Sequence, residues 1–500
     1  MQLLPSATHR SRPNRTGNGL ARLGAGLLAG SMLVWSSVAF AALPPESFAK
    51  LTKKVEPAVV FITSKITESN GGGQQGVPFQ FPPGSPFEKF FKQFGGQLGQ
   101  GQQQAPQPVI GVGSGFIIDP AGYIVTNNHV IDHSSDIEVK LTDGSQYPAK
   151  VIGADPKTDL GLLKIETNKP LPYVSFGNSD KMEVGDWVLA VGNPFGLGGT
   201  VTAGIISARN RDINAGPYDD FLQTDAAINR GNSGGPMFNL DGQVIGVDTA
   251  IFSPNGGSVG IGFAIPSNIA KKVVAQLREH GTVERGWLGV KIQQVTPDMA
   301  EALNLPKPAG ALVADVNADS PASRADLRQG DVILSFNGQK IDQMRDLPRL
   351  VADVRPGQSV PVEVWRNGAN KTLDVTIARM EPQTMTSAPE ATAPATPGKM
   401  ESNDLGATLS SLSDQDRQQL KLPESTKGVL ITGLQPNGQA AAQGLRVGDV
   451  ITKVDGAQVT EPSAVEADIA KAKEQNKKAV LLLVNRQGDE IFVGLKLGTA

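Results

Sequence analysis

A serine between glycines carries the strongest chemical signal in this chain of 500 residues. Ser233 lies within the run Gly231–Pro236, which has the sequence GNSGGP. On a tight glycine-rich turn, a hydroxyl can act as a nucleophile while neighbouring backbone N–H groups converge to form an oxyanion hole. The same composition is common in ordinary turns. A catalytic role therefore requires a general base and an acid that orients it.

The 4 histidines of the chain limit the choice of general base. His9 lies in an N-terminal targeting segment, and His280 ends a helix-like stretch, where a cationic side chain is favourable as a cap. His133 stands among polar neighbours, which is typical of a solvated turn. His129 comes where the apolar run 124–126 changes into polar residues. A polar side chain at a strand end can face a cleft, so His129 is the candidate base.

The order of these residues separates two serine-hydrolase architectures. An α/β-hydrolase has the order Ser, acid, His and would need His280 as the base. A chymotrypsin-like enzyme has the order His, Asp, Ser, which fits His129 upstream of Ser233. From about residue 55 to 265, short Val/Ile-rich runs alternate with Gly, Asn, Asp and Pro, which is typical of a barrel or sandwich. The predicted fold is therefore mainly β, with a chymotrypsin-like double β-barrel.

The acid that orients the base is less determined, because many aspartates lie between His129 and Ser233. Asp159 is the best placed, since it precedes the apolar run Leu160–Ile165, a strand that would carry it toward the core. A buried carboxylate needs a partner to offset its desolvation, and an imidazole N–H is one. The alternatives include Asp136, Asp155, Asp180, Asp212 and Asp225.

Three motifs in this order resemble the catalytic signatures of the HtrA/Deg family of serine endoproteases. They are TNNHV at 126–130, TDL at 158–160 and GNSGGP at 231–236. The resemblance extends from about residue 45 to the C-terminus.

The resemblance implies a role for each residue of the site. His129 would be the general base, Asp159 its orienting partner and Ser233 the nucleophile of a serine endopeptidase. The N–H groups of Gly231 and Ser233 would form the oxyanion hole, with Asn232 in the same loop. Losing one donor from such a hole typically costs about 3–4 kcal/mol of transition-state stabilisation.

Two departures from the digestive proteases bear on specificity and activation. Ala227 stands where trypsin-like enzymes carry a pocket Asp, and a buried Lys or Arg would be unpaired there, so cleavage after basic residues is not expected. By resemblance, Ile261, Gly262 and Phe263 form the wall of a shallow apolar pocket for Val, Ala or similar side chains. Asn232 replaces the Asp that pairs with a new N-terminus in zymogens. Activation is therefore expected to proceed by loop ordering.

The N-terminus is typical of a secretory signal peptide. Four arginines up to Arg22 precede an apolar stretch from Leu23 to about Val38, which is followed by Ala39-Phe40-Ala41. We expect cleavage after Ala41 and export to the periplasm. The alternative is an uncleaved membrane anchor, which the short, Gly- and Ser-diluted stretch disfavours.

Charge and composition disfavour several other classes. A net charge of −3 with mixed signs predicts no nucleic-acid partner. With 0 cysteines the chain depends on no disulfide, which is compatible with an oxidising periplasm. His129 and His133 have zincin-like spacing, but Val130 stands in place of the general-base Glu. No metal, no cofactor and no stable membrane insertion are therefore expected.

An internal repeat locates two further domains. Residues 320–333 resemble residues 438–451, which lie 118 positions later (438 − 320 = 118). Each copy has the pattern of a short helix, a Gly-Asp pair, a strand and a turn, which resembles the PDZ domain. The predicted domains are a signal peptide (1–41), a protease (42–281), a first PDZ domain (282–381), a mobile linker (382–402) and a second PDZ domain (403–500).

Each PDZ domain has a candidate loop for the carboxylate of a peptide C-terminus. In the first domain this loop is formed by Trp287, Leu288, Gly289 and Val290. In the second, the matching residues 404–407 begin with an Asp and end with the small Ala, which weakens the expectation of peptide binding.

A Gly/Gln/Pro-rich segment at about 70–108 contains four phenylalanines at helical spacing. Exposed together they would form an aggregation-prone patch, so they dock either onto the barrel or, as the resemblance implies, into a neighbouring subunit's active site. They are Phe87, Phe90, Phe91 and Phe94.

The expected function is that of a periplasmic, ATP-independent serine endoprotease. By resemblance it degrades unfolded or damaged envelope proteins, assembles as homotrimers or larger cages, and responds to C-terminal peptides bound by the PDZ domains. The alternative is a holdase chaperone or PDZ scaffolding protein with little proteolysis.

Overall fold

The computed structural model describes the chain from residue 47 to residue 497 with gaps. The described residues are 47–66, 109–193, 199–229, 231–253, 257–380, 399–402, 405–423 and 425–497. The predicted signal peptide, the phenylalanine segment and most of the predicted linker lie outside them.

The first barrel consists of strands β1 (Val59–Ile66), β2 (Val109–Asp119), β3 (Tyr123–Thr126), β4 (Ser134–Lys140), β5 (Gln146–Asp155) and β6 (Leu160–Ile165). They close in the order β1-β2-β3-β6-β5-β4. Helix α1 (Ala49–Val55) precedes β1, and the single-turn helix α2 (Asn128–Ile131) follows β3. Ile62, Ile124 and Leu163 are fully buried in a cluster formed by strands of this barrel.

The second barrel consists of strands β7 (Trp187–Gly192), β8 (Thr200–Arg211), β9 (Phe221–Thr224), β10 (Pro236–Phe238), β11 (Val244–Ile251) and β12 (Gly262–Pro266). They close in the order β10-β11-β12-β9-β8-β7. All residues of β11 are buried, which is why its sequence is a nearly continuous apolar run. The two closed barrels confirm the predicted mainly β, chymotrypsin-like fold.

Helix α3 (Ser267–His280) follows the second barrel. Its buried residues Ala270, Val273, Val274 and Leu277 recur at helical spacing and form one apolar face. The helix ends at Gly281 in the left-handed conformation, as the sequence predicts.

Within residues 286–379, the first repeat forms a six-stranded sheet, a separate two-stranded sheet and three short helices. Its elements are β13 (Gly286–Trp287), β14 (Val290–Gln294), α4 (Pro297–Ala302), β15 (Ala311–Val316), α5 (Pro321–Arg324), β16 (Val332–Phe336), β17 (Gln339–Lys340), α6 (Asp346–Ala352), β18 (Ser359–Arg366), β19 (Ala369–Thr376) and β20 (Ala378–Arg379). The main strand order is β14-β15-β16-β18-β19. Along β18, Val360, Val362 and Val364 are buried and alternate with exposed residues, as expected for a sheet with one face on the core.

The second repeat has the same core arrangement with one strand more. Its elements are β21 (Lys399–Ser402), β22 (Ala407–Ser411), α7 (Asp414–Gln419), β23 (Val429–Leu434), α8 (Gln439–Ala442), β24 (Val450–Val454), β25 (Ala457–Gln458), α9 (Pro462–Glu474), β26 (Ala479–Arg486) and β27 (Asp489–Lys496). The main strand order is β21-β22-β23-β24-β26-β27.

The Gly-Asp pair of each repeat is explained by an ion pair. In the first, the Arg366 guanidinium donates to both carboxylate oxygens of Asp331 at 2.7 Å. In the second, Arg486 binds Asp449 in the same way, also at 2.7 Å. A bidentate pair satisfies a carboxylate that is almost fully buried.

The protease domain contacts the first repeat, and the first repeat contacts the second. Arg285, just before β13, forms a bidentate pair with Asp155 at the end of β5, and both side chains are buried. The two repeats share an apolar cluster to which Leu312 and Phe492 belong, and the Gln293 side chain exchanges hydrogen bonds with the Phe492 backbone at 2.6 and 2.8 Å.

Among the described residues, no helix combines the length and apolarity needed to cross a membrane.

Candidate active site

His129 and Asp159 form a close pair at the edge of the first barrel. Asp159 Oδ2 lies 2.7 Å from His129 Nδ1, and Asp159 Oδ1 accepts a hydrogen bond from the His129 backbone N–H at 2.9 Å. The Asp159 side chain is almost fully buried and that of His129 nearly so. Asp159 adopts a left-handed backbone with a φ of 53°, an uncommon conformation for a residue other than glycine. Both carboxylate oxygens are therefore held in place on the histidine.

Asn127 ties this pair to the second barrel. Its side-chain N–H₂ donates to the Asp159 carbonyl at 2.8 Å and to Thr249 Oγ on β11 at 3.0 Å. The Asn128 backbone N–H also donates to the Asp159 carbonyl. Sequence reasoning did not single out Asn127 or Thr249. For Asn127 the sequence did contain a signal, namely two consecutive asparagines directly before the histidine, since a buried amide needs several hydrogen-bond partners.

Hydrogen bonds hold the loop that carries Ser233 from both sides. Ser114 on β2 donates its N–H to the Ser233 carbonyl at 2.8 Å and its Oγ–H to the Gly231 carbonyl at 2.5 Å. On the other side, Gly234 N–H donates to the Asp248 carbonyl at 2.7 Å, and Asp248 N–H donates to the Gly235 carbonyl at 2.8 Å. Ser114 was missed by sequence reasoning. A buried hydroxyl in the apolar run of β2 was its available signal.

The Ser233 loop and the His129 helix meet at Gly113. A Cβ on Gly113 would lie 2.7 Å from the Val130 side chain and 3.1 Å from the Ser233 carbonyl. Glycine is needed there because two chain segments approach β2 from opposite barrels. The fold thus brings His129, Asp159 and Ser233 to one place, across the junction between the barrels.

His133 and His280 lie elsewhere. The His133 side chain is 80% exposed, which agrees with a solvated turn, and His280 ends α3. Neither shares the position of His129.

The backbone around Ser233 offers two N–H groups for an oxyanion. Gly231 has a φ of 94°, and the N–H groups of Gly231 and Ser233 donate no hydrogen bond within the described part of the chain. The Asn232 N–H donates to the Asn229 carbonyl at 3.1 Å, so it is engaged within the loop. The Asn232 side chain is buried against Gly192, where a Cβ would lie 2.2 Å from Asn232 Oδ1.

The residues predicted to set specificity lie on neighbouring segments. Ala227 is half-buried, and its carbonyl accepts a hydrogen bond from Thr202 Oγ at 2.9 Å. A Cβ on Gly262 would lie 2.8 Å from the side chain of Ile228, so the two segments are in contact. Ile261 is half-buried next to them.

Phe263 lies deeper than the rest of this group. Its side chain is 6% exposed, and its ring lies edge-on to that of Phe221, with centroids 6.4 Å apart. It therefore packs in the barrel core, while Gly262 lies against Ile228.

Asp248 is a buried acid that the sequence reasoning did not identify. It is completely buried on β11, and neither carboxylate oxygen has a hydrogen-bond partner in the described structure. Burial raises the pKa of Asp248 well above its ordinary value. The only signal in the sequence was an acid inside an apolar strand.

The predicted carboxylate loop of the first repeat makes a tight turn at Gly289. Gly289 has a φ of 83°, and a Cβ there would lie 2.2 Å from the Ser320 side chain. The Leu288 carbonyl accepts from Ala322 N–H and the Gly289 carbonyl from Asn317 N–H, both at 2.9 Å. The N–H groups of Leu288 and Gly289 donate no hydrogen bond among the described residues. Trp287 and Val290 flank them as half-buried residues.

The sequence matches known families along three stretches. Residues 113–247 match the trypsin-like peptidase domain. Residues 286–377 and 397–485 each match the PDZ domain.

Curated relatives share this whole organisation. A protein of Brucella suis biovar 1 (strain 1330), described as a probable periplasmic serine endoprotease DegP-like, is 45% identical over 476 residues, which cover 91% of this chain and 90% of the relative. The chain belongs to the DegP/HtrA family of periplasmic serine endoproteases. A DegP-like relative from Pseudomonas fulva (strain 12-X) is 43% identical over 96% of this chain and 98% of its own length.

A solved structure of an HtrA-type protease agrees with this membership. The structure described as HtrA-type protease AlgW with tripeptide is 40% identical, has a TM-score of 0.56, and covers 67% of this chain and 98% of its own. The DegP/HtrA assignment thus rests on the peptidase domain together with both PDZ domains, and it confirms the predicted family and the class of serine endopeptidase.

Proposed function

We propose that this chain hydrolyses unfolded polypeptides through an acyl-enzyme on Ser233, with His129 as the general base and Asp159 as its orienting partner. The observation that supports this most directly is the 2.7 Å contact between His129 Nδ1 and Asp159 Oδ2 beside the Ser233 loop. With Nδ1 bonded to the carboxylate, Nε2 is the nitrogen that takes the serine proton in the proposed mechanism.

In the acylation step, Ser233 Oγ bonds to the scissile carbonyl carbon and its proton passes to His129 Nε2. The carbonyl oxygen takes the negative charge and receives hydrogen bonds from the N–H groups of Gly231 and Ser233. The C–N bond then breaks, and His129 gives the proton to the departing amine. Water repeats the sequence in place of the serine, which releases the acid and restores the hydroxyl. The Asp159 carboxylate orients and stabilises the imidazolium.

Specificity for small aliphatic residues follows from the pocket residues. Ala227 offers no charge to a basic side chain, and the close contact between Ile228 and Gly262 restricts depth. A buried Lys or Arg would be left unpaired in such a pocket. We therefore place cleavage after Val, Ala and similar residues.

Location and assembly follow from the family. The relatives are named periplasmic, and we infer export by a signal peptide cleaved after Ala41. We infer homotrimers, with larger cages as a further state, and activation when a C-terminal peptide binds the loop around Leu288. The AlgW structure is described as carrying a tripeptide, which supports peptide binding in this family.

Digestion of casein tests the nucleophile. Changing Ser233→Ala removes the attacking oxygen, and loss of such a residue lowers kcat by about 10⁶-fold in a related chemistry. We expect no detectable casein cleavage by the variant at concentrations where the wild type digests it fully. Equal digestion by both proteins would contradict the proposal.

The same pair of proteins tests the alternative function. Suppression of aggregation of a heat-denatured protein is measured alongside casein digestion. If the wild type does not digest casein but both proteins suppress aggregation equally, the chain is a holdase rather than a protease. If the wild type digests casein and both suppress aggregation, the chaperone activity is separate from the triad.

A further inference from the structure

The two PDZ domains differ at the sheet edge where a peptide would be added. In the first, β14 ends its sheet, and its outer edge pairs with no strand in the described part of the chain. In the second, the corresponding strand β22 is paired on both edges, with β23 on one side and β21 on the other. Peptides bind PDZ domains by adding a strand to an exposed edge. The second domain has that place already occupied.

Matching hydrogen bonds show that β14 and β22 are equivalent strands. Before β14, the Leu288 carbonyl accepts from the Ala322 N–H at 2.9 Å; before β22, the Leu405 carbonyl accepts from the Ala440 N–H at 2.9 Å. The next carbonyl, that of Gly406, accepts a hydrogen bond from the Gln435 N–H. The equivalent carbonyl in the first domain, that of Gly289, accepts from the Asn317 N–H. The two carboxylate loops are therefore built alike, although Asp404 of the second lies outside the described residues.

Strand β21 runs toward the second carboxylate loop, antiparallel to β22. Met400 pairs with Leu409, Glu401 with Thr408 and Ser402 with Ala407. An added peptide whose C-terminus lies in the loop would run in the same direction along this edge.

Ser402 stands where the terminal carboxylate of a bound peptide would stand. It is 1% exposed, and its Oγ accepts a hydrogen bond from the Leu405 N–H at 3.2 Å. The equivalent N–H in the first domain, that of Leu288, donates no hydrogen bond within the described residues. One of the donors of the loop is thus used internally in the second domain alone.

We propose that residues 399–402 fill the peptide site of the second PDZ domain from within the same chain, so that free C-terminal peptides bind the first domain alone. This inference rests on the proposed function only in taking the first domain as a peptide site. A segment joined by a short connection has an effective concentration on the order of mM, so a peptide at micromolar concentration cannot displace it. The second PDZ domain then packs against the first and does not itself bind free peptides.

Photo-crosslinking of a peptide locates the occupied domains. The full chain carrying Ser233→Ala is mixed with a decapeptide that ends in a free, apolar C-terminus and contains benzoylphenylalanine, and the labelled fragments are identified by mass spectrometry. We expect label within residues 282–381 and none above background within 403–500. Equal labelling of both PDZ domains would overturn the proposal.

A matched pair of variants tests whether β21 closes the second site, because only the proline variant should open it. Met400→Pro with Glu401→Pro removes two backbone N–H groups from β21 at exposed positions, whereas Met400→Ala with Glu401→Ala keeps them. We expect at least 10-fold more label within 403–500 in the proline variant than in the alanine variant. Equal labelling of two folded variants, with circular dichroism as the check on folding, contradicts the proposal.

An engineered disulfide covers the case in which the proline variant fails to fold. Glu401→Cys with Thr408→Cys places two thiols opposite each other in a chain that has 0 cysteines of its own. We expect ready oxidation and unchanged labelling of the first domain. Failure to oxidise in the folded protein would show that β21 is not paired in solution. Absence of label in 282–381 would count against peptide activation, while the variants would still decide whether the second site is closed.

Discussion

Asp159 and Asp248 are two buried acids near Ser233 with different surroundings. Asp159 receives hydrogen bonds on both carboxylate oxygens from His129, so its charge is compensated. Asp248 is completely buried, and within the described structure its carboxylate has no partner. Its backbone nevertheless holds the Ser233 loop through Gly234 and Gly235. The titrating side chain of Asp248 therefore lies on the same strand that holds the Ser233 loop in place.

The stability of the protein should decrease with pH because of Asp248. Burial raises the folded-state pKa of this carboxyl, while an unfolded Asp titrates near about 3.9. The favourable contribution is fully present below about pH 4 and is lost as the pH rises through the folded-state pKa, at about 1.4 kcal/mol per pH unit. Changing Asp248→Asn removes this dependence. Urea unfolding of both proteins at pH 4, 6 and 8 should give a free-energy difference that grows with pH in favour of the variant.

An exposed aspartate provides the control. Hydrogen bonds from the hydroxyl and N–H of Ser145 lower the pKa of Asp143, so this group causes no loss of stability between pH 6 and pH 8. Asp143→Asn should change stability by the same amount at pH 6 and pH 8, whereas the effect of Asp248→Asn should grow between them. A difference for Asp248→Asn that does not vary with pH would contradict a raised folded-state pKa of Asp248.

At the scale of elements, the nucleophile loop has very little space around Gly234. A Cβ there would lie 2.3 Å from the Ser114 carbonyl and 2.4 Å from Thr126 Oγ, and the backbone φ is 84°. Both the contact and the conformation require glycine. The loop therefore reaches its position only by pressing its backbone directly onto β2 and β3.

Changing Gly234→Ala should strongly reduce proteolysis while Ser233 is still present. The loop must move to relieve the contacts, and a displacement of about 1 Å at a catalytic group can cost about 10²-fold in rate. We expect at least that loss in kcat/KM for casein cleavage. Gly144→Ala is the matched control, because Gly144 also has a positive φ of 90° but nothing lies within 4 Å of its Cβ position. Equal activity of both variants would show that the loop adapts.

At the scale of the whole molecule, buried charge joins the protease domain to the first PDZ domain. Arg285 is 8% exposed, and its guanidinium holds both oxygens of Asp155. It also stacks over the ring of Tyr218 at 4.8 Å from the centroid. Thr158, next to the orienting Asp159, donates its hydroxyl to the same Asp155 carboxylate. The junction between domains thus lies one residue from the triad.

Removing one partner of this junction should cost more than removing both. Arg285→Leu leaves the Asp155 carboxylate buried without its cation, and breaking such a pair costs about 3–5 kcal/mol. The double change Arg285→Leu with Asp155→Leu removes the unpaired charge and should recover most of that loss. Chemical unfolding of the wild type, both single variants and the double variant checks this. Additive losses in the double variant would indicate that the pair is not coupled.

The family, the fold class and the candidate triad could be predicted from the amino-acid sequence alone. The motifs around His129, Asp159 and Ser233 are local, and their order along the chain selects the chymotrypsin-like architecture. The short Val/Ile-rich runs separated by turn residues agree with a barrel. Those signals can be recognised in the sequence because each depends on only a few neighbouring residues. The catalytic roles themselves stay predictions.

The residues that surround the triad and the PDZ sheet edge that is open became apparent from the three-dimensional contacts. Ser114 holds a loop that lies 119 positions later (233 − 114 = 119), and Asn127 reaches Thr249 in the other barrel. From the sequence, residues 399–402 were predicted to be the end of a linker. Four residues carry too little pattern to predict that they would form strand β21 and pair with the edge of β22. Such contacts arise when barrels and sheets close and distant backbone groups must find partners.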